Sequence, residues 1–392
     1  MSDGWRSVSA SSVARIEIGG TPAREQPRFW SDPENGHAWA SIADLHAHEV
    51  AETAEYISDL GVRSSNVKLV PAGTPLMSFK LTIGRTSVAG RDLYTNEAIA
   101  AFFADPNQVD RRYLLHVLPS SARSVITDVA IKGATLNKKS LSSMQLLLPP
   151  IEEQRWIAEI LDALDDQIES TSRIIHKLKA MRNGVLAKLV DEVSSGVTRP
   201  LVDLCAEDIC YGIVQSGSYD PSGVPVLSIR DLQGDFETGL HRTSSFVDRR
   251  YRRSRVAPGD LLLSIKGTIG RVGVVPNHYQ GNISREIARL RLSSVLDPHF
   301  VCQYFLSEMA QRRLDLVVVG TTRAEVSIHV LKRFEIPVPD MAAQTRIVAS
   351  MKKFDDVISS DELTLRKLQS ERLGLAKDLL AGDVRLRKEG RS

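Results

Sequence analysis

From Ile157 onward, apolar residues recur at steps of four and three: Ile157, Leu161, Leu164, Ile168, Ile175, Leu178, Val185 and Leu189, interrupted at Thr171 and Arg182. This spacing is a heptad seam and predicts a long helix over Ile157 to Leu189. The pattern returns as Ile347, Met351, Phe354, Ile358, Leu365, Leu368, Leu375 and Leu379, interrupted at the equivalent Asp361 and Arg372. Shared interruptions predict a shared packing geometry. At 1.5 Å per residue the first helix is about 50 Å long, and so narrow an apolar stripe does not hold alone in water. The obvious partner is the second copy. Residues 152–169 carry seven acids and one Arg, while 173–188 carry five Lys or Arg and no acid. An antiparallel pair brings the acidic half near Arg366, Lys367, Arg372 and Lys377, with attraction of the e/g kind, so antiparallel pairing is expected. Gly184 and Gly374 lie inside these helices, where glycine costs roughly 1 kcal/mol against Ala; close backbone approach and simple tolerance both account for them. Pro149, Pro150, Pro337 and Pro339 break the preceding strands and launch each helix.

Outside the helices, short apolar runs alternate with turn signals, as in Gly73 to Ile83 and Val256 to Ile269, which predicts mainly β structure. These regions are also duplicated. Val70, Gly73, Leu76, Ser78, Lys80, Thr82, Ile83, Gly84 and Arg85 recur 186 residues later as Val256, Gly259, Leu262, Ser264, Lys266, Thr268, Ile269, Gly270 and Arg271. Ser-Ile-x-Asp-Leu occurs at Ser41 to Leu45 and at Ser228 to Leu232. In the helical segments Pro149, Gln154, Asp165, Asp166, Ile168, Lys177, Leu178, Arg182, Gly184 and Leu189 match residues 190 positions on. The expected fold is therefore α+β and internally duplicated: two mixed, mainly-β globular domains separated by two long, antiparallel coiled-coil helices. Along the chain the segments are 1–147 (globular), 148–196 (helical), 197–337 (globular) and 338–392 (helical with a tail). The copies diverge elsewhere: Gly19, Gly20, Thr21 and Pro22 precede Trp30 in the first, whereas the second enters through Tyr211 and Gly212.

With 392 residues, 42 % of them hydrophobic, the chain can bury more than one core. Lys and Arg number 50 against 48 Asp and Glu, so no global field draws in nucleic acid or an anionic membrane, and any DNA binding must be local. Cys205, Cys210 and Cys302 form neither a CxxC pair nor a metal set with histidine, and read as reduced thiols. Residues 1–14 lack a signal-peptide core and no run of 18 apolar residues occurs, so a cytoplasmic protein that does not span a membrane is expected. Trp5, Trp30 and Trp39 read as core residues rather than stacking platforms. The histidines, His176 and His329 among them, lack neighbours at metal spacing. There is no GxxxxGK[ST], HExxH, GxSxG or Asn-Pro-Pro-aromatic segment, so no catalytic or metal site is expected in this chain.

The candidate chemistry lies in the repeated turns. Lys80, Thr82, Gly84 and Arg85, and again Lys266, Gly267, Thr268, Gly270 and Arg271, combine backbone freedom, a hydroxyl and cationic donors, as phosphate-holding turns do. The plain alternative is a hairpin that needs glycine for its backbone angles while its cations stay solvated. Arg249, Arg250, Arg252 and Arg253, with Arg255, form the densest basic cluster, which is either a DNA contact or a solvated charge run. Asn96 and Asn282 occupy equivalent positions and suit either a base edge or a turn cap. A shared framework with divergent loops fits paired recognition modules, with phosphate contacts from common positions and base contacts from variable ones.

Together these features resemble the specificity subunits of type I restriction-modification systems, over essentially the whole chain. The segments Leu147 to Ala158 and Ile336 to Ile347 are similar to the family's strand-end and conserved-helix signature, and Leu379 to Leu386 to its usual ending. Ser264 to Arg271 is similar to a target-recognition motif of the family, with Leu81 standing in the first copy where the second has Gly267. The resemblance implies two target recognition domains at opposite ends of an antiparallel helix pair, each reading half of a bipartite, asymmetric site in double-stranded DNA. It implies two adenine-N6 methyltransferase subunits and an ATP-driven translocase and endonuclease as partners. S-adenosylmethionine, ATP and magnesium then belong to those partners and none to this chain. Three other readings compete with this one: a coiled-coil scaffold joining two protein-binding domains, the specificity subunit of a type II-like system, and a self-sufficient enzyme.

Overall fold

Two helices organise the computed structural model: α1 (Ile151–Ser194) and α2 (Met341–Ala381). The structure describes residues 4–45, 48–130, 136–320 and 324–384, with side chains for all of these except 126–130. Residues 385 and 386 of the family-like ending lie outside the described residues.

The chain divides into two compact units, residues 1–171 with 364–392, and residues 172–363. The border crosses both long helices, so each unit contains one globular region and a part of each helix. Packing thus groups the chain differently from the four successive sequence segments. In the second unit Lys179 pairs with Glu362 at 2.7 Å, Arg182 with Asp355 at 2.6 Å and Glu192 with Arg346 at 4.0 Å. Partner numbers fall as α1 numbers rise, so the helices run antiparallel there. In the first unit Asp165 meets Arg372 at 2.9 Å, and Ile157, Ala158 and Leu161 share a core with Ala376 and Leu379, which is again antiparallel.

The two arginines that interrupt the seam therefore have a structural reason. Arg182 and Arg372 are repeat equivalents, as are Asp355 and Asp165, and each arginine reaches the aspartate of the other copy. Just beyond each arginine the apolar pattern departs from the expected heptad. Val185 and Leu375, expected in the seam, are 37 % and 38 % exposed, while Leu186 and Ala376 are 1 % and 8 % exposed. At 3.6 residues per turn a straight helix drifts from a 3.5 repeat, and a four-residue step from the arginine restores the inner face. Close backbone approach at Gly184 and Gly374 is also overturned: a Cβ at either would meet nothing within 4 Å.

In the first unit a five-stranded sheet has the order Ala14–Ile18, Ile99–Ala104, β1 (Pro75–Ser78), β2 (Thr86–Ala89) and Glu49–Val50. A four-stranded sheet, Trp30–Ser31, Glu55–Ile57, His37–Ala40 and Tyr94–Thr95, accompanies it. The second unit repeats the plan with Cys210–Tyr211, Ile287–Leu290, β3 (Leu261–Ser264) and β4 (Val272–Val274), plus a three-stranded sheet through Val224–Leu227. In each unit a two-stranded ribbon, Arg6–Ser9 with Gln145–Leu148 or Thr198–Pro200 with Glu335–Pro337, leads into a long helix.

One buried amide locks each globular region to its helix start. The Gln154 amide accepts from the Asp110 N–H at 2.9 Å and donates to the Pro149 and Gln108 carbonyls. Gln344 does the same with Asp297, Pro339 and Val295. Asp110 and Asp297 stand before the helices Arg111–Ala130 and Pro298–Leu306, so the matched glutamines fix how each helix approaches α1 or α2. Trp39 is fully buried and donates to the Gly20 carbonyl at 2.9 Å; Trp5 is buried, and Trp30 packs edge-on to Trp39 at 5.2 Å. All three serve the core, as read. The cysteines are unpaired, and burial pushes the Cys205 and Cys302 thiols up to about 12. Among the described residues no helix is long and apolar enough to cross a membrane.

Candidate nucleic-acid interface

The hairpins β1–β2 and β3–β4 end in turns of matching construction. Ser78 N–H donates to the Arg85 carbonyl at 2.9 Å, and Ser264 N–H to that of Arg271 at 2.8 Å. Each serine is fully buried, and its hydroxyl donates into the turn, Ser78 to the Thr82 carbonyl and Ser264 to that of Thr268 at 2.6 Å. The same hydroxyls accept from the N–H groups of Arg85 at 3.2 Å and Arg271 at 2.8 Å. Gly84 and Gly270 donate to the serine carbonyls with φ of 82° and 84°, a region closed to most side chains. The rigidity of the turn thus comes from a buried hydroxyl and a left-handed glycine. The serines were visible as repeat matches, but nothing in the sequence distinguished an organising hydroxyl from an ordinary strand residue.

This scaffold leaves Lys80, Thr82 and Arg85 exposed at one tip, and Thr268 exposed with Arg271 half-buried at the other. Lys80 lies 5.7 Å over the Phe79 ring, and among the described residues neither Lys80 nor Arg85 has an ion pair. The second tip is more internally committed. Lys266 pairs with Glu325 at 3.0 Å and lies 5.9 Å from the Tyr211 ring, while Gly267 N–H donates to the Ala324 carbonyl at 3.1 Å. The candidate turn residues of each copy are therefore brought together, with more unpaired charge on the first.

The arginine cluster sits on the helix Ser245–Arg250 and the following turn Arg252–Ser254, where Arg249, Arg250, Arg252 and Arg253 are exposed. Arg255 differs, because it pairs with the buried Asp248. Burial pushes the Asp248 carboxyl up, but hydrogen bonds from Arg255 and Asn282 and the charges of Arg255 and Arg249 bring it below its ordinary value. Asn282 requires a correction as a base-edge candidate. It is fully buried, donates to Asp248 at 3.0 Å and to the Tyr251 carbonyl at 3.2 Å, and accepts from Ser254 at 2.7 Å and the Ile283 N–H at 2.9 Å. All its hydrogen-bonding capacity is spent holding the arginine-bearing turns in place. Asn96, half-buried, accepts from the Ala98 N–H at 3.1 Å in the turn-capping role.

The family model for the type I restriction modification DNA specificity domain matches residues 2–180 and again 203–369. The EcoBI specificity subunit of Escherichia coli is 27 % identical over 321 residues, 73 % of this chain and 67 % of that protein. A putative MjaX specificity subunit of Methanocaldococcus jannaschii is 22 % identical over 302 residues, 72 % of this chain and 70 % of that protein. The crystal structure of a type I S subunit from M. genitalium has the same fold, with a TM-score of 0.59 at 14 % identity over 96 % of both chains. A chain from a study of type I restriction-modification complex assembly gives 0.61 at 16 % identity, covering 97 % of this chain and 99 % of that one. Carrying two copies of the family domain over most of its length, this chain belongs to the type I restriction-modification DNA specificity family.

Proposed function

We propose that each globular region reads one half of a bipartite, asymmetric site in double-stranded DNA, and that the chain directs adenine-N6 methylation and restriction carried out by other subunits. Membership of the family makes it a non-catalytic DNA specificity subunit that works with partners. The finer assignment is two methyltransferase subunits and a translocase and endonuclease, acting in the cytoplasm. S-adenosylmethionine is the methyl donor in the first, and ATP with magnesium drives the second. The observation that carries the reading is the paired hairpin turn: a buried serine and a left-handed glycine hold cationic and hydroxyl donors at a tip, twice, on divergent surroundings. Common tips suit phosphates and divergent surroundings suit different bases. Family membership disfavours the bare scaffold; a type II-like set of partners would use the same recognition surface.

The test is a genome-wide map of N6-methyladenine in cells carrying the cognate methyltransferase with and without this chain. A gapped, non-palindromic motif that appears only with the chain is expected. Unchanged methylation would overturn the specificity role, and a palindrome would overturn the asymmetry. Arg85→Ala or Arg271→Ala should weaken binding across sequences and lower the salt slope by about one charge; altered preference at a single base pair would contradict the phosphate assignment.

A further inference from the structure

Leu81 stands at the tip of the first turn and is 94 % exposed, with a φ of 59°. Both properties run against the stability of the chain. A branched, bulky side chain in the left-handed region crowds its own backbone, and a fully exposed Leu gains no burial to offset that crowding. Glycine would remove both penalties, and the second copy has Gly267 there with a φ of 74°. The surroundings of Leu81 are equally specific. Exposed Lys80 and Thr82 flank it, Arg85 follows, and the buried Ser78 hydroxyl holds the backbone beneath them. The result is an apolar point on a rigid loop, ringed by cations and a hydroxyl.

We infer that Leu81 is a wedge that enters a base-pair step of the DNA bound by the first recognition domain, while the second domain, with Gly267, reads its half-site without one. This rests on the DNA-reading function proposed above. Lys80, Thr82 and Arg85 supply phosphate contacts on either side of the point of entry, as an apolar insertion requires, and unstacking is cheapest at the flexible TA and CA/TG steps. A strained and exposed leucine is offset only when the site is occupied, as expected of strain held at a functional position. The first half-site should therefore contain or border a pyrimidine–purine step at the Leu81 position.

The test uses the full chain assembled with its modification subunits, without methyl donor, on duplexes carrying 2-aminopurine at one position at a time. Wild type should brighten a probe at one step of the first half-site, outside the methylated adenine. Leu81→Gly should abolish that signal and bind about tenfold more weakly, yet melt at an equal or higher temperature. Leu81→Met should retain the signal, and Leu81→Asn, which tolerates the same backbone angle, should lose it. A Leu81→Gly complex with unchanged fluorescence and affinity would overturn the wedge. So would a loss confined to binding of the modification subunits, which would make Leu81 a protein contact. If Leu81-dependent brightening occurs on every duplex alike, the wedge stands and sequence reading fails; if no duplex binds, both fail.

Discussion

The two units contain the same charge pair with different neighbours. In the second, Arg182 bridges Asp355 and donates to the Gln303 side chain at 2.9 Å. In the first, Arg372 bridges Asp165 and donates to Nδ1 of His116 at 3.3 Å. Gln303 and His116 are equivalent positions, 187 residues apart. Because Nδ1 accepts from Arg372, Nε2 carries the proton and donates to Asp162 at 2.8 Å; His48 lies 3.7 Å from the same oxygen. Burial pushes the Asp162 carboxyl up, yet the hydrogen bond from His116 and the nearby His48 ring outweigh this and hold it well below the carboxylate range. In the second unit the residue equivalent to Asp162 is Lys352. Both copies have the Asp–Arg bridge, but only the first has a histidine and a further aspartate beside it, where the second has Gln303 and Lys352.

The sharpest way to break the comparison is to remove each arginine. Arg372→Met should cost about 2 to 3 kcal/mol in the first unit, since Asp165 is left partly buried in a cluster with Asp162. Arg182→Met should cost about 1 to 2 kcal/mol, because Asp355 is 46 % exposed and water screens what remains. Hydrogen exchange over 151–171 and over 172–194 reads the two effects separately. Equal losses would mean that the neighbours do not matter.

The turns offer a second contrast. Gly270→Ala drives a Cβ into Oε1 of Gln311, whose amide holds the Gly270 carbonyl, whereas at Gly84 the nearest atom, on Pro119, is 3.5 Å away. Both substitutions also force a side chain into the left-handed region, so losses of about 2 to 3 and about 1 to 2 kcal/mol are expected by chemical denaturation. A larger loss at Gly84 would reverse the ranking.

A smaller effect concerns pH. Asp162, held low, contributes stability that is complete above its unfolded value and fades as pH falls through the folded one. The nearby Asp162 carboxylate in turn raises His48, so that contribution is complete below the histidine's unfolded value and fades as pH rises through the folded one. The first unit should be most stable between about pH 4 and 6.5. His48→Gln should flatten the alkaline limb without touching the second unit, as followed by exchange against pH; an unaltered limb would remove His48 from the account. Last, Gly184→Ala and Gly374→Ala should each stabilise by up to about 1 kcal/mol, since both positions face open space. A loss on thermal melting would restore a packing role for these glycines.

Much of this plan was legible in the chain. Repeat matching located both hairpin turns, both helices and the breaks in their seams, because duplicated sequence marks positions held by a common geometry. It did not reveal what the breaks were for, since the aspartate partners of Arg182 and Arg372 lie more than 170 residues away and the second partner, Gln303 or His116, differs between copies. The base-edge alternative for Asn282 fails for a related reason. A polar residue matched between repeats is equally compatible with a ligand contact and with a buried network, and only its depth, set by Asp248, Ser254 and Tyr251, decides. Val185 and Leu375 leave the seam because a strict heptad ignores the drift that an arginine and a four-residue step introduce.

The split of each long helix between units also bears on synthesis. Residues 4–171 leave the ribosome before their remaining partners exist: the core around Trp5, Ile157 and Leu161 waits for Ala376 and Leu379, and Gly382 comes to rest against the Trp5 ring. The second unit is one unbroken stretch and can close as soon as it is made. A chain interrupted after Leu363 should therefore emerge with its later-made half folded and its earlier-made half exposing an unfinished apolar seam, a substrate for chaperones and proteases.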